Sequence, residues 1–259
     1  MQIEALLFVN WIFWMAISAG TILVVGMAEL TGGTTRGYRL FMAALLVVFA
    51  AILVVSELAL PAGTAASGTE QLRRPLSLAF AAGCVVYLVA SIGNWPRSGI
   101  AIASGAVGIA ALVVLAAAGG TRGLPLFAGQ LVLTALALGA VNAAMLLGHW
   151  YLVTPKLSPT PLRRMMWLLM GALGLQAIAF AVALVVVGVD PLTGGMGWLT
   201  WLRLAVGLLL PIVVTALAIA ASRSPSLQAS TGLLYIGLAL IMAGSVAGAS
   251  ITYLTGVPV

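Results

Sequence analysis

Eight stretches of this chain, approximately 5–29, 38–60, 76–93, 99–119, 126–153, 165–189, 199–221 and 229–254, are almost continuously apolar. Each is close to the ~20 residues that carry a helix across the hydrocarbon core of a bilayer. A backbone surrounded by lipid must satisfy its own hydrogen bonds, and a helix does so within one segment. The expected fold is therefore all-α and integral to the membrane, with eight transmembrane helices.

Composition leaves little room for another class. Only 6% of the residues are charged and 63% are hydrophobic, too little charge to clothe a soluble globule. Glycine and proline punctuate the gaps, as in TGGTTRG, PAGTAASG, TPKLSPTP and DPLTGG. None of the gaps is long enough for a soluble domain. The first run starts at Met1 without a basic segment ahead of it or a clear cleavage site, and it reads as a retained span. Cys84, the single cysteine, lies inside an apolar run and reads as a packing residue.

The net charge of +6 is distributed between the runs, singly or in pairs. That is the placement of span-flanking residues and excludes a nucleic-acid partner. Eight spans put both termini on one side. With the termini outside, the inner loops hold Arg36, Arg39, Arg97, Lys156, Arg163, Arg164 and Arg223, against Arg73, Arg74, Arg122 and Arg203 outside. This seven-to-four bias orients a multi-pass protein of the cell membrane.

The two halves of the chain also resemble each other. AISAGTILVVGMAEL and RGYRLFMAALL can be laid over ALALGAVNAAMLLGHWYL and PLRRMMWLLMGALG, matching Gly20 with Gly139 and Arg39 with Arg164. Residues 1–124 and 125–259 are then two four-helix halves, related as parallel repeats.

Ionisable groups at membrane depth usually face a protein interior, a partner charge or a water-filled cavity. His149, the only histidine, precedes Trp150 and Tyr151. Its imidazole can both donate and accept, which suits proton handling or binding of a polar headgroup. It can equally belong to an interfacial aromatic belt, or ligate a heme with a methionine as second ligand. Asn142 lies two helical turns before His149 on the same face, so the two form a polar stripe in need of a hydrogen-bonding partner. Glu57, near the end of the second run, is an interfacial carboxylate, a proton-relay carboxylate or a partner for a nearby arginine. Glu29 is expected to meet Arg36 and Arg39, with a relay role as the alternative. Asn10 needs a partner within its span, and Trp11 and Trp14 beside it can wall a pocket for a flat ring. Ala16, Ser18, Ala19 and Gly20 offer a face for close helix approach. Arg203 falls in the first turns of the seventh run, and Asp190 before Pro191 is expected to close the sixth.

Soluble-enzyme constellations are missing: no phosphate-binding glycine loop, no CxxC, no histidine pair for zinc. No metal site is expected, and the chain reads as a non-catalytic or quinone-reactive subunit of an oxidoreductase complex, not as an enzyme acting unaided.

NWIFWMAISAGTILVVGM, followed by a second span ending in SELALP, resembles the polysulfide reductase/NrfD family of quinol-interacting membrane subunits. The family closes its second helix with an acid, then leucine, then proline four residues after the acid, here Glu57, Leu58 and Pro61. RRPLSLAFAAG echoes the start of its third helix. The resemblance implies a subunit of a respiratory-type redox complex in a prokaryotic inner membrane. Such a subunit exchanges electrons between a lipid quinone, menaquinone or ubiquinone, and an iron–sulfur partner. His149, Trp150, Tyr151, Asn142, Asn10 and Trp14 are the candidate headgroup contacts, with Glu57 and Glu29 as proton relays. The competing readings are a small-solute or ion transporter, a heme-binding subunit, and a structural or assembly subunit without a ligand.

Overall fold

The computed structural model describes residues 3–60, 67–118, 124–154, 157–188, 190–223 and 227–255. Arg122, Lys156 and Pro61, singled out above, lie outside the described residues. The described segments are helical: α1 (Ile3–Leu30), α2 (Arg36–Ala59), α3 (Ser67–Ile92), α4 (Ser98–Ala118), α5 (Leu124–Val153), α6 (Thr160–Val187), the short α7 (Asp190–Thr193), α8 (Gly197–Leu204), α9 (Leu210–Ala221) and α10 (Gln228–Thr255). A π-helical turn, Ala205–Leu209, joins α8 to α9, so the two form one span, Gly197–Ala221. Among the described residues, eight helices are long and apolar enough to cross a membrane. The protein is an all-α, multi-pass membrane protein. Apolar side chains such as Val55, Ile178 and Val185, the last 86% exposed, form its lipid-facing surface.

Consecutive spans alternate in direction. Phe8, early in α1, packs against Tyr253, late in α10, with ring centroids 5.9 Å apart. Both ends of the described chain therefore lie on the same side of the bundle, here called the termini side, with the other called the far side.

Helix α1 packs against α2 and α4, with α3 closing the ring between them. Helices α5, α6, α9 and α10 close a second ring in the same order. The rings meet through α1 and α5, whose apolar stretches are 78% buried against 33–44% for the other spans. Small residues let these two backbones approach. A Cβ on Gly20 would overlap the Ala135 carbonyl, and one on Gly139 would overlap the Gly20 backbone. The two glycines thus touch each other at the crossing.

Two helix boundaries depart from the sequence expectation. Helix α3 starts at Ser67, so Pro75 lies inside it, two turns from the start. The added turns are held by Arg73, which is drawn inward to Glu57 rather than left in a loop. Helix α6 starts at Thr160, with Pro161 in its first turn, where the missing N–H has no intrahelical acceptor to lose. It ends at Val187, before Gly188 at φ 93°. Asp190 therefore does not close α6; it opens the short α7.

Candidate functional site

On the termini side of the first ring, α1, α2 and α3 bring a polar group together. Glu57 is 4% exposed. Its Oε2 accepts from Arg73 Nη1 at 2.5 Å and from the Ser77 hydroxyl at 3.0 Å. Ser77 follows Arg73 by one helical turn, so both reach the same carboxylate from one face of α3. The Arg73 guanidinium lies 5.2 Å from the Trp11 ring centroid, a cation–π contact on the one buried face left to it. Glu57 Oε1 is buried without a hydrogen-bond partner.

The next residue along α2, Ser56, accepts from Asn10 Nδ2 at 2.7 Å, and Asn10 Oδ1 accepts from Trp14 Nε1 at 3.1 Å. Trp14 meets Phe49 edge-on, with centroids 5.4 Å apart. Asn10 itself is exposed on the lipid-facing surface. Trp11 is fully buried and Trp14 only half-buried, so the two indoles do not face each other across an open slot.

The other candidates lie elsewhere. Asn142 is buried and donates to Thr21 Oγ1 at 3.1 Å across the α1–α5 crossing. At the far side, His149 is exposed and its Nδ1 lies 3.2 Å from the Tyr235 hydroxyl of α10. Trp150 packs where a Cβ on Gly37 of α2 would sit, with its Nε1 buried and unpartnered. Tyr151 donates its hydroxyl to the Ser158 carbonyl at 2.8 Å. Successive helical residues point about 100° apart, and these three follow that rule. Ten residues separate Asn10 from Gly20, and ten separate Gly139 from His149, in helices running the same way. Asn10 and His149 are then about 30 Å apart along the bundle, so no single headgroup touches both. The polar stripe of Asn142 and His149 is satisfied from within the protein, because α1 covers α5 at Asn142 and ends at Leu30, leaving α10 beside His149.

Glu29 also lies at the far side. Arg39 is 3.9 Å from it, Arg97 3.2 Å, and the Tyr87 hydroxyl donates to it at 2.9 Å. One carboxylate thus ties the ends of α1 and α3 to the starts of α2 and α4. The Arg39 contact matches the expected loop pairing. Arg97 and Tyr87 were not foreseen, because they lie more than fifty residues away in sequence.

Sequence reasoning also passed over Ser56, Ser77, Gln130, Gln176 and Tyr235. A signal existed for the two glutamines, each a polar residue inside an apolar run. Comparison with protein-family models, with curated proteins and with solved structures finds no match to this chain.

Proposed function

We propose that this chain is a quinone-interacting membrane subunit of a redox complex of the polysulfide reductase/NrfD kind, receiving the headgroup where α1, α2 and α3 meet. The observation that carries this reading is Glu57: one oxygen is held by Arg73 and Ser77, while the other is buried and unpartnered. Ser56, the residue before Glu57 on α2, accepts a hydrogen bond from Asn10 at the lipid-facing surface.

A quinone arriving from lipid meets the Asn10 amide, whose second N–H is free to donate to a carbonyl oxygen. Trp14 offers an apolar edge for the ring. Reduction of the quinone takes two electrons from an iron–sulfur partner and two protons, and in this reading Glu57 supplies one of the protons while Arg73 holds the carboxylate in position. Glu29, braced by three partners at the far side, serves as a structural tie in this scheme.

The test is saturable quenching of tryptophan fluorescence by short-chain ubiquinone and menaquinone analogues in detergent. Asn10→Ala and Glu57→Gln should weaken binding about tenfold, the scale of one lost hydrogen bond to a buried or charged group, whereas His149→Ala should leave it unchanged. Loss of quenching in His149→Ala alone would move the headgroup to the far side. Absence of saturable quenching in the wild type would overturn the quinone reading. Small-solute transport is the second reading, favoured by the π-helical interruption of the seventh span, since broken helices line binding sites in transporters.

A further inference from the structure

The interior of the second ring holds a polar layer whose hydrogen bonds do not close. Arg203 is 2% exposed, and both its Nε and Nη1 are buried without a partner. Among the described residues no carboxylate pairs with it; the three ion pairs are Arg39–Glu29, Arg73–Glu57 and Arg97–Glu29. The side chain runs along its own helix toward Gly207, where an added Cβ would stand 3.3 Å from Nη1. Gly207 in turn crosses Gly244 of α10 so closely that neither could carry a side chain without overlap. The guanidinium is thus held within the bundle and not extended to the headgroup region.

The same layer contains further unsatisfied groups. Gln176 donates to Thr134 Oγ1 at 2.8 Å, yet its Oε1 is buried and unpartnered. Both polar atoms of the Gln130 side chain are likewise buried and unpartnered. Arg203 and Gln130 are each the seventh residue from the termini-side end of their span, and Thr134, Gln176, Gly207 and Gly244 lie about one turn deeper, at the eleventh or twelfth. Phe180, Ala183, Leu208 and Ile251 form a separate apolar cluster spread over the fifth to twelfth residues from the same end, alongside these polar groups.

Beside Arg203 the span changes its backbone. Pro211 has no N–H to return to the Gly207 carbonyl, and the Ala205–Leu209 turn is π-helical. Such turns release backbone groups and mark functional sites in many helices. An isolated buried guanidinium is costly in a membrane interior, and an oxyanion accepting a charge-assisted hydrogen bond from its free Nε–H or Nη1–H would offset that cost.

We propose that Arg203, with the amide N–H groups of Gln130, forms a binding site for an oxyanion, either the carboxylate or phosphate of a small solute or the phosphate of an anionic lipid. The anion would neutralise Arg203 as Glu57 neutralises Arg73. This site is separate from the proposed quinone site and does not depend on it.

The test uses the purified protein in phosphatidylcholine nanodiscs, with thermal unfolding followed by intrinsic fluorescence. Acetate, lactate and inorganic phosphate are titrated against chloride at constant ionic strength, and a parallel set of nanodiscs contains phosphatidylglycerol. A bound anion should raise the midpoint by at least about 3 °C in the wild type and in Glu57→Gln, but not in Arg203→Met. A shift with solutes in phosphatidylcholine assigns a soluble ligand, and a shift only with phosphatidylglycerol assigns a lipid. No shift with any anion, or an equal shift in Arg203→Met, would overturn the proposal. A shift lost only in Glu57→Gln would place the anion in the other ring and overturn it too.

Discussion

Arg73 and Arg203 occupy corresponding places, each the seventh residue of the third span in its ring, yet their surroundings differ. Arg73 has a carboxylate, a serine and an indole around it. Arg203 has glycine backbones beside it and no partner for two of its nitrogens. The same cation is thus a structural tie in one ring and an unmet demand in the other. A fold can bury a charge by pairing it internally or by leaving it for something that arrives, and only the first compensates the buried charge in the unliganded protein.

This contrast makes opposite predictions for similar substitutions. Glu57→Leu strands Arg73 in the bundle and should destabilise by about 3–5 kcal/mol, seen as a large fall in the unfolding midpoint in detergent. Arg203→Met removes an unpaired charge and should stabilise the anion-free protein by about 1–3 kcal/mol, the scale of an unsatisfied buried group. A fall in its midpoint of the size seen for Glu57→Leu would erase the distinction. The double variant Glu57→Leu with Arg73→Met replaces the pair by apolar groups and should return to within about 1 kcal/mol of wild type. A double variant as unstable as Glu57→Leu would mean that Arg73 has a second stabilising role. The smallest effect belongs to the neutral tie between halves: Asn142→Leu, which deletes the Thr21 bond, should cost about 0.6 kcal/mol, the mean for interhelical hydrogen bonds in a membrane.

Much of the architecture could be read directly from the sequence. Run length and the scarcity of charge specify eight helices without reference to any contact, because the bilayer penalises every other conformation. The helix starts at Ser67 and Thr160 were missed since Arg73, Arg74, Arg163 and Arg164 make those turns look like loop. Their polarity reports the membrane boundary, whereas the helix continues through it. For the site, Glu57, Glu29, Asn10 and Arg203 all stood out as polar groups in apolar runs. Grouping His149, Trp150 and Tyr151 as one contact surface went too far, because neighbours in a helical sequence diverge in direction.

What the sequence by itself determined is how many times the chain crosses the membrane and which few residues carry a cost for doing so, since both follow from local transfer of side chains and backbone into lipid. Only the tertiary structure decided how that cost is met. Glu57 finds Arg73 sixteen residues away, Asn142 finds Thr21 across a glycine crossing, and Arg203 finds no carboxylate among the described residues. Lipid is as apolar as the helices themselves, so their rotation and pairing are set by close packing and a few polar contacts between distant segments, and no single segment encodes them.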